Sequence, residues 1–230
     1  MSRVWFSKSI ITLILVANCI LISATVTGSS SGFGRTMTEY VLKRGDIAVA
    51  TLRKPDVLEE LKTQYGADKL LVLRLDVTKQ DEITEAFRMA KEAFGRVDVV
   101  FNNAGYGLMA EIEGTPEQTA RAMFDANFWG ATNVTREAVK LFRESNVPVG
   151  GRLIVTSSLT ACRTTPLVGY YSASKLGMRS LRLCVNQADR TNIALEAVTE
   201  AISLELDPEW NIKVIHCNLQ LMSSHHSRRR

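Results

Sequence analysis

The chain has few of the residues from which metal centres and disulfide frameworks are built. Its four cysteines, Cys19, Cys162, Cys184 and Cys217, are scattered and form no CxxC pair. Its three histidines, His216, His225 and His226, all fall near the C-terminal end. This spacing offers no metal-ligand motif, so no metal is expected, and it suits a reducing, cytoplasmic setting. Charge of one sign is not in excess either. Lys and Arg number 28 against 24 Asp and Glu, and part of the +4 balance is the terminal Arg228-Arg229-Arg230. No nucleic-acid footprint follows from that. Internal repeats are absent, and the one biased stretch, SSHHSRRR, reads as a solvated tail.

Long hydrophobic runs are scarce as well. Only residues 9–26, SIITLILVANCILISATV, approach the length that spans a bilayer. The end of this run is needed as a strand before a glycine-rich loop, and residues 9–19 alone are too short to cross. Membrane association through residues 9–26 is therefore the alternative reading, and residues 1–19 are expected to be an atypical apolar segment outside the domain.

What remains is ample for one α/β domain: 230 residues, 46% of them hydrophobic. Apolar strand-like runs occur at Ile22–Val26, Ile47–Leu52, Leu70–Leu75, Val97–Phe101, Leu153–Thr156 and Ile212–Ile215. Amphipathic helical stretches lie between them: Arg35–Lys43, Asp81–Phe94, Pro116–Phe142 with a break at Gly130, and Tyr171–Leu206. Strands apolar on both faces that alternate with helices predict a doubly wound parallel sheet in a single domain.

The first strand runs into Thr27-Gly28-Ser29-Ser30-Ser31-Gly32-Phe33-Gly34, followed by a helix. Glycines there permit positive φ and close backbone approach, and a helix N-terminus offers free N–H groups to a phosphate. Strand, glycine loop and helix in that order are what a dinucleotide-binding fold requires. The second strand ends in LRKP, with no acid for a ribose hydroxyl. Arg53 suits a 2′-phosphate, so NADP(H) is expected in preference to NAD(H). Asn102-Asn103-Ala104-Gly105 closes another strand with small residues that leave room for a ligand. Asp76 either accepts from an adenine amino group or caps the next helix.

Tyr171 and Lys175 in YSASK stand four apart, on one face of a helix. A nearby ammonium favours tyrosinate, which makes the phenol a usable proton donor and acceptor. Ser158, at the end of the strand LIVTSS, is placed to hold a carbonyl oxygen beside it.

Together TGSSSGFG, NNAG, Asn127 in DANFWG, Ser158 and Tyr171-Ser-Ala-Ser-Lys175 resemble the short-chain dehydrogenase/reductase family. The resemblance implies a Rossmann-like fold and an NAD(P)-dependent oxidoreductase acting on a small carbonyl or secondary alcohol. It implies that Tyr171 protonates the carbonyl, Lys175 binds the nicotinamide ribose, Ser158 orients the substrate oxygen, and Asn127 holds a water of the proton relay. Gly28, Ser30, Gly32, Phe33 and Gly34 would line the cofactor on one side. Asp76, Val77, Asn103, Ala104 and Gly105 would line it on the other. A homo-oligomer is expected on the same ground.

Three departures from the family pattern accompany the match. About nineteen residues separate Val4-Trp5-Phe6 from Val26-Thr27-Gly28. Residues 176–193 read as an insert after Lys175, with the helix restarting near Thr191 and Asn192. The domain is expected over 20–216, with a divergent tail at 217–230 in place of the last strand and substrate lid. A dinucleotide-binding protein without turnover is the second reading.

Overall fold

A computed structural model describes residues 21–158, 160, 164–176 and 195–219. Most of the apolar segment before residue 21, the insert after Leu176 and the tail beyond Leu219 lie outside the described residues. Six strands form one sheet: β1 (Ser23–Thr27), β2 (Ile47–Leu52), β3 (Leu70–Arg74), β4 (Val99–Asn102), β5 (Gly151–Ser158) and β6 (Ile212–Leu219). Their order is β3-β2-β1-β4-β5-β6, and every pairing is parallel. The helices are α1 (Gly32–Lys43), α2 (Glu59–Gln64), α3 (Gln80–Phe94), α4 (Glu117–Phe124), α5 (Ala131–Glu144), α6 (Gly169–Leu176) and α7 (Leu195–Glu205).

Both faces of the sheet are covered, and alternation along each strand decides which residue goes where. Val49, Val100, Leu153 and Val155 face a core completed by Ile83 and Phe87 of α3 and by Val134 and Phe142 of α5. Ala48, Ala50, Phe101 and Ile154 face the opposite core, with Met37 and Val41 of α1 and Leu58. Gly151 admits the Phe142 ring, since a Cβ there would lie 2.4 Å from it.

The helical stretch expected over 116–142 does not break at Gly130. A π-helical turn, Asp125–Gly130, joins α4 to α5 without interruption. Gly130 is small for another reason: a Cβ would come within 2.8 Å of Val77 Cγ2. The strand β6 runs beyond its expected end because it pairs with β5 as far as Leu219. Pro55–Leu58, a 3-10 turn, and α2 were not anticipated. Among the described residues, no helix is long and apolar enough to cross a membrane.

Candidate active site

The strand order reverses between β1 and β4, and ligands of open α/β sheets bind beyond the carboxyl ends at such a point. A cavity of about 510 Å³ opens there. Gly28, Ser30, Gly32 and Phe33 line it from the glycine loop, and Arg53 from the end of β2. Asp76 and Val77 follow from the end of β3, and Asn103, Ala104 and Gly105 from the end of β4. Ser158, Tyr171 and Lys175 close the far side.

Gly34 and Asn127 sit one layer behind this lining. A Cβ on Gly34 would lie 2.2 Å from the Gly28 carbonyl oxygen, so only glycine lets α1 begin against the loop. Gly28 adopts φ +71, a region in which other residues are strained. The Asn127 amide is fully buried and donates to the Tyr106 carbonyl at 2.8 Å and the Ser174 hydroxyl at 3.0 Å. Its oxygen accepts from the Tyr106 N–H at 2.9 Å. The side chain thus ties the loop after β4 to α6.

Thr27 is the residue that sequence reasoning passed over. Its hydroxyl oxygen accepts from the backbone N–H groups of Asn103 at 2.8 Å and Ala104 at 2.9 Å, and its carbonyl accepts from the Asn103 amide at 3.0 Å. These bonds lock the two loops of the crevice together. A hydroxyl at the end of a buried strand, directly before the first glycine, was the available signal. Thr156 completes the lattice by donating to Asn103 Oδ1 at 3.3 Å.

Electrostatics divide the cavity into two ends. At one end, burial alone would raise the Asp76 carboxyl. Hydrogen bonds from the Thr78 N–H and hydroxyl, with the charges of Arg53 and Lys79, outweigh it and hold that carboxyl below its ordinary value. Asp76 therefore braces its own turn and does not cap α3, whose N-cap is Lys79. At the other end Lys175 is only 5% exposed. Burial pushes its ammonium down to about 8. Among the described residues its acceptor is the Thr156 carbonyl at 3.4 Å. The Ser158 hydroxyl shares a 3.0 Å hydrogen bond with that of Thr160, and the Tyr171 ring lies against Gly107.

A dinucleotide fits these residues. The Ser31 side chain does not cap α1, and a helix N-terminus at the rim of the cavity suits a diphosphate. The under-coordinated ammonium of Lys175 calls for the kind of hydroxyl acceptors a ribose presents. The family model for short chain dehydrogenases matches residues 23–202. The chain belongs to that family.

Among short chain dehydrogenases, an uncharacterized oxidoreductase of Schizosaccharomyces pombe is 36% identical over 189 residues, 82% of this chain and 56% of that protein. The 11-beta-hydroxysteroid dehydrogenase 1A of Arabidopsis thaliana is 31% identical over 179 residues, 76% of this chain and 50% of that protein. A solved short-chain dehydrogenase from Streptomyces avermitilis aligns with a TM-score of 0.72 at 29% identity, over 86% of this chain and 65% of that one. The chain thus spans little more than half the length of the curated relatives it matches.

Proposed function

We propose that this chain is an NADP-dependent oxidoreductase that transfers a hydride between the nicotinamide and a carbonyl or secondary alcohol. One observation carries the reading: Tyr171, Lys175 and Ser158 line the same cavity as the glycine loop. The nicotinamide supplies the hydride when bound. The protein's part is to hold the partners and move a proton. Gly28, Gly32 and the start of α1 cradle the diphosphate, and Arg53 takes the 2′-phosphate. Lys175 holds the ribose and Ser158 the substrate oxygen. The Tyr171 hydroxyl gives or accepts the proton at that oxygen. Asn127 holds the loop of Tyr106 and Gly107 in register with α6. A nicotinamide dinucleotide as the cofactor is supported by a 3-ketoacyl-(acyl-carrier-protein) reductase of Brucella melitensis, 26% identical with a TM-score of 0.72, which was solved with NADH; the choice of NADP rests on Arg53. A homo-oligomer through the long α4–α5 segment is part of the same proposal.

The test is the loss of NADPH absorbance against a panel of ketones and aldehydes. Turnover should vanish in Tyr171→Phe while NADPH still binds. An unchanged rate in that variant would refute the assignment of the proton donor.

A further inference from the structure

Beyond Gly107 the cavity opens onto an apolar ridge. Tyr106, Met109, Ile112 and Leu167 are 42%, 76%, 56% and 45% exposed. They come from two segments, 106–112 after β4 and 164–168 before α6, which the structure joins. The Ala110 N–H donates to the Leu167 carbonyl at 2.8 Å. Ile112 rests on Gly169, where a Cβ would meet its Cδ1 at 2.5 Å. Gly169 opens α6 two residues before Tyr171, whose ring lies over Gly107.

Leu167 holds φ +69, a left-handed conformation that is strained for any residue with a side chain. Strain of this kind persists only where surrounding structure imposes it. Here it delivers the Leu167 carbonyl to Ala110 and keeps an apolar side chain at the opening. Among the described residues of the ridge, charge is of one sign. Glu111 and Glu113 are exposed beside it, and residues 164–168, TTPLV, carry none. Since Tyr106 and Gly107 line the cavity itself, ridge and cavity form one continuous surface.

From this we infer that Met109, Ile112 and Leu167 form the seat for the body of the substrate, and that the substrate is a neutral ketone or alcohol with an extended apolar portion. Acids of the ridge repel a carboxylate or phosphate on that portion. The inference rests on the oxidoreductase reading, and its test separates the two.

The probes are 2-butanone, 2-octanone and 7-oxooctanoate with NADPH. For each methylene fully buried on the ridge, kcat/KM should rise about fourfold. 2-Octanone should therefore exceed 2-butanone by at least tenfold, and 7-oxooctanoate should lose most of that gain. Met109→Glu combined with Ile112→Glu should cost 2-octanone about tenfold, chiefly in KM, and cost 2-butanone far less. Leu167→Gly should raise the melting temperature by relaxing the backbone, yet lower the ratio of 2-octanone to 2-butanone. In parallel, calorimetric titration of 2-octanol and 2-butanol onto the NADP-saturated chain reads the seat without turnover. Tighter binding of 2-octanol that the double variant abolishes supports the seat even where no ketone is reduced, in which case the proposed reaction alone falls. Equal binding of the two alcohols, or equal kcat/KM for 2-octanone and 7-oxooctanoate, overturns the inference.

Discussion

Replacing Lys175 with Met should stabilise the cofactor-free protein while abolishing its chemistry. The side chain is 5% exposed, and its ammonium has one long hydrogen bond, to the Thr156 carbonyl at 3.4 Å, among the described residues. Burial lowers it from 10.5 to about 8. At about 1.4 kcal/mol per unit, keeping the charge in the folded state costs about 3 kcal/mol. The folded value lies below the unfolded one, so this cost is fully present below pH 8, where both states hold the proton. Between pH 8 and 10.5 the unfolded chain binds more protons than the folded one, and stability rises with pH. Methionine has similar length and no charge, so it removes the cost.

Urea unfolding of both proteins at pH 7 should show the variant more stable by up to about 3 kcal/mol, or several degrees in melting temperature. At about pH 9.5 the gap should fall to roughly half, because the ammonium of the parent is by then discharged on folding. Saturating NADP(H) should narrow the gap from the other side by stabilising only the parent strongly. A variant no more stable than the parent at pH 7, or a gap that ignores pH, would refute the claim that Lys175 is held charged against its surroundings.

Arg53→Ala should weaken NADP(H) about 10- to 100-fold by calorimetry and leave NAD(H) unchanged, since a charge-assisted hydrogen bond contributes about 1.5–3 kcal/mol. Thr27→Val leaves the Asn103 and Ala104 N–H groups without their acceptor, which should cost about 1–3 kcal/mol in thermal unfolding and loosen cofactor binding as well. Gly34→Ala places a Cβ 2.2 Å from the Gly28 oxygen and should lose cofactor binding together with about 1–3 kcal/mol or more of stability. Gly32→Ala meets no protein atom within 4 Å and strains only its φ of +55, so a loss of about 1–2 kcal/mol in thermal unfolding, smaller than that of Gly34→Ala, is expected.

Much of this fold was legible because its strands are buried on both faces and so read as continuous apolar runs. Val49 with Ala48 and Ala50, and Ile154 with Leu153 and Val155, feed opposite cores from adjacent positions. What escaped were features whose cause lies far away in sequence. Gly130 looked like a helix break, yet its smallness serves Val77. The polar end of β6 gave no apolar signal, and only its pairing with β5 makes it a strand. Helix α2 is a short polar piece after Pro55 whose single buried side chain is Leu61.

The site divides along the same line. Residues whose chemistry is local could be named from the sequence: glycines at a turn, a cation at a strand end, a phenol four positions from a lysine. Thr27 could not, since its partners stand 76 and 77 positions away. Its role depends on β1 and β4 becoming neighbours in a sheet whose strand order reverses between them. With the two loops locked, the crevice is formed before any ligand arrives, so binding need not order it. The unfavourable element is the buried ammonium of Lys175, which finds one long hydrogen bond among the described residues. A ligand that offers hydroxyl acceptors there relieves a cost already present in the fold. Cofactor affinity and the pH dependence of stability should accordingly change together in any variant that alters the surroundings of Lys175, and a variant of Thr156 or Gly105 that shifts one without the other would break that link.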